Sequence, residues 1–548
     1  MSEIALLIAL LAVTSALAEA ANRLRIPYPV VLVLAGLGLS LVPGLPLVAL
    51  APETVFFVFL PPLLYASAWQ LSWSAFRAEL RPITLLAVGC VLFSLVLVAA
   101  VAHYLLPDFG WGPAFVLAAV VSPTDAVSAA VSTKGLPISR RIITILEGES
   151  LVNDATGLIA YRTAVAAVLT GQFGLGAASG QLLLVTVMGI GVGLAVGGAL
   201  YALQRLTQTS VTINTSLSLL TPYAAYLLAE AVHGSGVLAV VAAALFVSQF
   251  SGRLFAHDGR LQSAAVWDTL TFLLNGLVFI LIGLQLPAVV AGVAPALRGP
   301  LLGYGVLISA AVIGARMLWV YPSAALLRRL SAAIRPGGKA GQAASEVSEQ
   351  PALSQAEITV IGWGGMRGVL SLAAALALPL ALPGGAAFPQ RNPILLLTFI
   401  VILISLLVQG LTLRPLIHWL GVEADDLAER EELDLRLSLA TQTVAYLTSE
   451  AAATQAPAEI LGRMRQRYRL RLERLQRRAA HAADPTAPAD PTEGILTPFQ
   501  QLQEIVIHFE RGLLDGLRRE HAVSEEVLRK LENELDLEEG RLALDKAG

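Results

Sequence analysis

Thirteen apolar stretches follow one another from the N-terminus to about Leu420, each near the ~20 residues that an α-helix needs to cross the hydrocarbon core of a bilayer. They centre on residues 3–21, 28–44, 50–67, 82–105, 113–133, 142–168, 181–203, 214–232, 235–250, 264–290, 301–326, 357–382 and 394–418. Backbone surrounded by lipid has no water to bond, so each stretch must satisfy its own N–H and C=O groups, and a helix does this. The predicted fold is an all-α polytopic membrane protein. Composition agrees: of the 548 residues 56% are hydrophobic and 14% charged, where a soluble domain carries roughly a quarter charged residues. A soluble enzyme, a disordered regulator and a nucleic-acid binder are excluded on this ground. The single cysteine, Cys90, lies inside an apolar run, which excludes a disulfide framework or a cysteine–zinc site.

The connections carry a second signal. After odd-numbered stretches they hold Arg23 and Arg25, Arg77 and Arg81, Lys134, Arg140 and Arg141, then Arg205, Arg253 and Arg260, and finally Arg328, Arg329, Arg335 and Lys339. After even-numbered stretches only Arg298 and Arg391 occur. By the positive-inside rule the N-terminus is expected outside and the tail in the cytoplasm, with the chain multi-pass in the cell (inner) membrane. Ser15-Ala16-Leu17-Ala18 looks like a signal-peptidase site. Glu3 precedes the apolar run and the basic residues follow it, so the first stretch is expected to be retained as a span.

The net charge of −3 hides an uneven distribution, because 25 of the 40 acidic residues follow Gly421. The expected division is a transmembrane domain over 1–420 and a cytoplasmic helical domain over 421–548. Residues 327–356 read as a flexible polar connection rich in Gly, Ser, Ala and Gln. In the tail, a basic stretch from Arg463 to Arg478 precedes a Pro/Ala/Asp linker at 483–492, and amphipathic segments follow around 498–520 and 524–542. The basic stretch is open to two readings, a solvated helix face or attraction to anionic lipid.

Charges inside apolar spans are costly, so each needs a function or a partner. In the fifth stretch, Ser122-Pro123-Thr124-Asp125 places a proline beside an acid. Pro123 lacks an N–H and clashes with the preceding turn, so the helix is expected to break there. Freed carbonyls beside a carboxylate make an oxygen cage for a monovalent cation. The alternative is a plain proline kink with a buried, protonated Asp. The sixth stretch reads Glu147-Gly148-Glu149-Ser150-Leu151-Val152-Asn153-Asp154. At 3.6 residues per turn Glu147, Ser150 and Asp154 share a face and Glu149 points elsewhere. Two arginines offer Glu149 a partner: Arg316 in the eleventh stretch, and Arg367 in the twelfth, within Gly362-Trp363-Gly364-Gly365-Met366-Arg367-Gly368. The glycines around Arg367 allow a second break and close backbone approach. Arg162, further along the sixth stretch, is expected to snorkel to an interface.

Together, the Pro-Thr-Asp turn, the Gly-Glu-Ser-x-x-Asn-Asp run and the Gly-Gly-Met-Arg-Gly run resemble the sodium/proton exchanger family, the first class of monovalent cation:proton antiporters. The resemblance covers all thirteen stretches in order, and the tail segment Leu531–Glu539 resembles the bacterial branch more loosely. It implies inverted structural repeats, two broken helices crossing near the membrane centre, and a homodimer in which a core domain moves against a dimerisation domain. It also implies that Asp154 is the essential carboxylate, that Asp125, Thr124 and Ser150 complete the cation site, and that Glu149 pairs with Arg316. Asn153 matches the Asn-Asp pair of the family; an Asp-Asp pair would resemble its electrogenic relatives. Glu147 and Arg367 are further candidates. One position departs from the pattern: Ala66, in Leu60-Pro61-Pro62-Leu63-Leu64-Tyr65-Ala66, stands where many relatives carry an acid, which leaves any coordination from the third span in doubt.

The expected activity is exchange of Na⁺, or K⁺ or Li⁺, for protons, electroneutral, at a site that holds one or the other. No cofactor and no enzymatic chemistry are expected, and the expected partners are membrane lipid and a second copy of the chain. A cation channel gated by the tail is one rival reading, although the paired broken spans argue against a pore lined by several subunits. A transporter of a small organic anion is another; two core aspartates argue against it. An intramembrane hydrolase is disfavoured, since no His-Glu-x-x-His motif or complete nucleophile elbow occurs.

Overall fold

The computed structural model describes all residues except 1–2, 25, 43–54, 134–135, 137, 172–174, 207–209, 255–256, 334–352, 383–384, 423–425, 450–456, 484–497, 520–530, 532–534 and 541–548. Most of the polar connection, nearly all of the tail linker and much of the segment 524–542 therefore lie outside the described residues. Two units separate along the chain, Met1–Ala424 and Asp425–Gly548.

The first unit is helical, and among its described residues the one extended pairing is an isolated bridge between Ala381 and Ala387. Each of the thirteen apolar stretches holds helix. In order these are α1 (Glu3–Leu24), α2 (Tyr28–Ser40), α3 (Leu60–Gln70), α4 (Leu80–Leu105), the half-helices α5 (Trp111–Val121) and α6 (Ala126–Thr133), and α7 (Arg140–Thr170). There follow α8 (Leu175–Leu206), α9 (Val211–Ala231), α10 (Gly236–Leu254), α11 (His257–Leu284), α12 (Pro295–Ala333), the half-helices α13 (Gln355–Trp363) and α14 (Val369–Leu376), and α15 (Arg391–Trp419). Among the described residues, five unbroken segments are both long and apolar enough to cross a bilayer: Leu80–Leu105, Leu183–Leu206, Gln262–Ala291, Pro295–Arg329 and Arg391–Trp419. The fifth and twelfth stretches miss that criterion because they are split, and α7 carries more charge than an ordinary span.

Local chemistry sets the boundaries that matter for the site. The helix α7 starts at Ser139, whose hydroxyl accepts the Ile142 N–H, and ends at Gly171 in the left-handed region (φ 68°). A reciprocal capping box fixes the start of α13: Ser354 Oγ accepts from Glu357 N at 3.2 Å, and Glu357 Oε2 accepts from Ser354 N at 2.7 Å. In α3 the two prolines fall in the first turn, where a missing N–H is tolerated.

Packing sorts these helices into two groups. One comprises α4 to α7 with α12 to α15; α1 to α3 pack among α8 to α11 to form the other. Within the first group the order helix, broken helix, helix occurs twice, as α4, α5/α6, α7 and as α12, α13/α14, α15. The two broken elements are the fifth and twelfth apolar stretches. An odd offset of this kind reverses the direction of crossing, which is the arrangement of inverted repeats. The long helix α7 touches all four half-helices and α3. In the second group α8 lies close along α10, and Gly193 permits it: a Cβ there would collide with the Ala239 backbone.

The second unit contains α16 (Asp426–Thr448), α17 (Ala458–Ala483) and α18 (Pro498–Arg519). The first two pack together around Leu447, Leu461 and Tyr468. On α17 most of the arginines face solvent.

Candidate functional site

Both breaks meet at one point. The first spans Ser122 to Asp125 and the second Gly364 to Gly368, and the Asp125 N–H donates to the Met366 carbonyl at 2.7 Å. Breaking two helices in an apolar interior exposes four helix ends, and each end has found a charge of opposite sign. At the C-terminal end of α5, Arg367 donates from Nε to Val121 O at 3.1 Å and from Nη2 to Ser122 O at 3.4 Å; its Nη1 donates to Gly365 O. At the C-terminal end of α13, Arg316 donates from Nη2 to Ile361 O at 2.9 Å and from Nε to Gly362 O at 3.0 Å. Guanidinium groups suit these positions because the last carbonyls of a helix carry its negative pole. Both side chains are buried, with 1% of each residue exposed.

The N-terminal ends meet Asp125. Its Oδ1 accepts the Val127 N–H at 3.1 Å and its Oδ2 accepts the Ser128 hydroxyl at 2.5 Å, so Asp125 caps α6. Gly368, the residue preceding α14, lies directly against the same carboxylate, and a Cβ on it would strike Asp125 Oδ2. Asp125 therefore sits at two positive helix poles together.

Glu149 turns away from this point, as the helical spacing of α7 requires. Its carboxylate forms a two-pronged pair with Arg316: Nη2 donates to Oε2 at 2.7 Å, and Nη1 donates to Oε1. Gly365 leaves room for that guanidinium beside the second break. Ser150 donates to the Thr124 carbonyl at 2.6 Å, and Asn153 Nδ2 donates to Thr124 Oγ1 at 2.5 Å. Together they fasten α7 to the first break. Gly157 lies against the Pro123 ring, so the break can pack closely on the same helix.

Asp154 differs from its neighbours. It is buried (8% exposed), and among the described residues no donor hydrogen-bonds to its carboxylate. It lines a small cavity of about 40 Å³ together with Thr124, Asp125, Ser150 and Ser371. A cavity needs ~10–15 Å³ to hold one water, so this one has room for a largely dehydrated ion. A much larger cavity of about 900 Å³ shares Leu63, Ser67 and Val127 with it. Asn22, Gln70, Glu147, Asp268 and Arg414 line that larger space, and so does Ala66. These residues lie at or near the helix ends joined by the arginine-rich connections. Glu147 thus faces the larger cavity, one turn from Ser150.

Among the described residues no cluster of three or more His, Cys, Asp or Glu side chains gathers as it would around a transition metal. Two carboxylates with hydroxyl and carbonyl oxygens suit a hard cation instead. Several partnerships were not legible beforehand. Arg162 is half-exposed and pairs with Glu230 of α9 at 3.0 Å, while Glu79, almost fully buried, pairs with Arg141 at 2.8 Å. Ser405 accepts the Arg367 N–H at 2.9 Å and donates to Gln409, which in turn donates to the Trp363 carbonyl. Ser371 carries a sequence signal in retrospect: it is a lone hydroxyl three residues after Gly368 in the run Val369-Leu370-Ser371-Leu372.

Two half-helix pairs crossing in a polytopic bundle, with carboxylates at the crossing and arginines at the free carbonyls, define a secondary transporter of the ion-coupled antiporter class. Residues 6–419 match the family described as Sodium/hydrogen exchanger, transmembrane, and the chain belongs to that family. An uncharacterized Na(+)/H(+) exchanger of Mycobacterium tuberculosis is 34% identical over 96% of this chain and 93% of its own length. The Na(+)/H(+) antiporter ApNhaP of Aphanothece halophytica is 32% identical over 78% of this chain and 76% of its own. A sodium, potassium, lithium and rubidium/H(+) antiporter of Bacillus pumilus is 31% identical over 83% of this chain and 67% of its own. The fold is that of the sodium proton antiporter MjNhaP1 of Methanocaldococcus jannaschii, with a TM-score of 0.57 at 18% identity over 76% of this chain and 98% of that one.

Proposed function

We propose that this protein exchanges Na⁺, with K⁺ and Li⁺ as the other candidates, for protons across the cell membrane, one cation per proton, with Asp154 as the carrier and Asp125, Thr124 and Ser150 completing the site. The observation that carries the reading is the charge balance at the crossing. Glu149 pairs with Arg316, and against the single guanidinium of Arg367 stand two carboxylates, Asp125 and Asp154, so the crossing carries one negative charge in excess, with no donor holding Asp154. A charge in a low-dielectric interior is costly, so a core carrying it resists passage across the hydrophobic gate. One bound proton or one bound monovalent cation removes that cost equally. The core therefore crosses loaded with either and stalls when empty, which is what obligatory exchange requires. A neutral Asn153 adds no second charge.

The division of roles between the two aspartates follows from their partners. Asp125 is held by the start of α6 and lies against Gly368 before α14, whereas Asp154 has no donor to release before it takes an ion. A carboxylate withdrawn from water favours its neutral form, so protons compete with the cation. The larger cavity supplies a wet route from the side of the basic connections, taken as the cytoplasm, and the two helix groups supply the surfaces that slide in alternating access. The same reading makes 1–420 the transporting domain, 421–548 a cytoplasmic regulatory domain, the N-terminus external and the assembly a homodimer. The protein acts as a transporter, with no covalent chemistry on its substrates.

Fluorescence dequenching of acid-loaded everted vesicles tests this. Adding Na⁺, K⁺ or Li⁺ releases protons, and the cation concentration giving half the maximal rate rises as the pH falls. Proton movement independent of any alkali cation contradicts the proposal.

A further inference from the structure

Resting on that antiport reading, we propose that the Ser371 hydroxyl is a further ligand of the transported cation, delivered by the second broken helix. Ser371 lies in the first turn of α14, and 1% of it is exposed. Its Oγ is buried and has no hydrogen-bond partner among the described residues. It lines the same small cavity as Asp125 and Asp154.

Among the described helical residues Thr14 and Thr398 also carry buried, unpaired hydroxyls, but of the three Ser371 alone lines the small cavity. Ser122, Thr133, Thr156 and Ser309 each donate to the carbonyl four residues back, the ordinary way for such a group to satisfy itself. Four residues before Ser371 stands Arg367, inside the break, and Gly368 has extended backbone with φ −153° and ψ −133°. The break takes the place of the turn before Ser371, and its hydroxyl bonds to no carbonyl three or four residues back. A buried hydroxyl left unpaired is unfavourable, and an ion in the cavity relieves it.

The other oxygens around the cavity are largely engaged. The Ser150 hydroxyl donates to Thr124 O, Thr124 Oγ1 accepts from Asn153, and Asp125 accepts from Val127 and Ser128. Hard cations gather around six oxygens, and the third helix contributes none at Ala66. A neutral hydroxyl from α14 adds an oxygen without altering the charge balance. It also makes cation binding, unlike proton binding, bridge the first break, α7 and the second break. A proton on Asp154 needs no third oxygen, so Ser371 acts on cation affinity and selectivity alone.

The test is kinetic, on the full-length protein in proteoliposomes. Ser371→Ala is expected to raise the KM for the preferred cation roughly tenfold, with maximal rate within about twofold and an unchanged pH dependence at saturating cation. Ser371→Thr keeps the hydroxyl and is expected to keep the KM within about threefold. An unaltered KM in Ser371→Ala for Na⁺, K⁺ and Li⁺ alike, with the wild type exchanging normally, overturns the ligand role and leaves the antiport reading intact. Equal loss of maximal rate in both variants at unchanged KM also overturns it, since that pattern belongs to packing. A wild type that moves no protons in response to any of the three cations removes both readings together.

Discussion

Asp154 and Glu149 lie five residues apart on α7, both buried, in opposite surroundings, and the proposal gives them opposite roles. Glu149 is closed into a two-pronged pair with Arg316, which also serves the Ile361 and Gly362 carbonyls. Removing its charge leaves a buried guanidinium without its counter-ion, a loss of about 3–5 kcal/mol in comparable buried pairs. Glu149→Gln is accordingly expected to lower the thermal unfolding temperature in detergent and the yield of folded protein. Normal stability with a shifted cation affinity contradicts that role. Asp154 has nothing to lose structurally, since no donor holds it. Asp154→Asn is expected to reach the membrane in normal amount while cation-driven proton release drops to background, and retained exchange contradicts the carrier role. The carboxylates were legible because acids in apolar runs stand out, and the helical period already turned Glu149 away from Asp154. The partners of Arg367 were not legible: Val121 lies 246 residues away, and a carbonyl carries no sequence mark.

Among the elements, the two broken helices carry the account. A proline announced the first break and a cluster of glycines the second, through known effects on backbone geometry. Their contact at Asp125 N and Met366 O follows only from the tertiary fold. The close approach depends on Gly368, where a methyl group would press on the Asp125 carboxylate. Gly368→Ala is expected to slow exchange by at least roughly tenfold, because a 1 Å misplacement of a reacting group can cost more than that. Helix content by circular dichroism is expected to stay unchanged. Wild-type rates in this variant, measured in the same vesicles, contradict the crossing geometry. Ser371 escaped the sequence reading for a related reason. A serine in an apolar helix ordinarily bonds its own backbone, and the break that denies it this bond lies outside its own helix.

Over the whole molecule, the basic connections and the charge balance constrain function jointly. Alternation of arginines between successive connections orders the helices, and the recurrence of helix, broken helix, helix in α4–α7 and α12–α15 gives the transporter two related halves. The number of apolar stretches was readable from hydropathy alone. The sorting of helices into two packed groups was not, since lipid-facing and protein-facing apolar surfaces have similar composition. The central claim is that one proton or one monovalent cation neutralises the same buried charge, so that a full cycle moves no net charge. Proteoliposomes holding purified protein, clamped to a series of potassium–valinomycin potentials with Na⁺ as the exchanged cation, test this directly. The expected result is a rate and a reversal point set by the Na⁺ and proton gradients alone, the same at every potential. A reversal point that shifts in proportion to the imposed potential contradicts it.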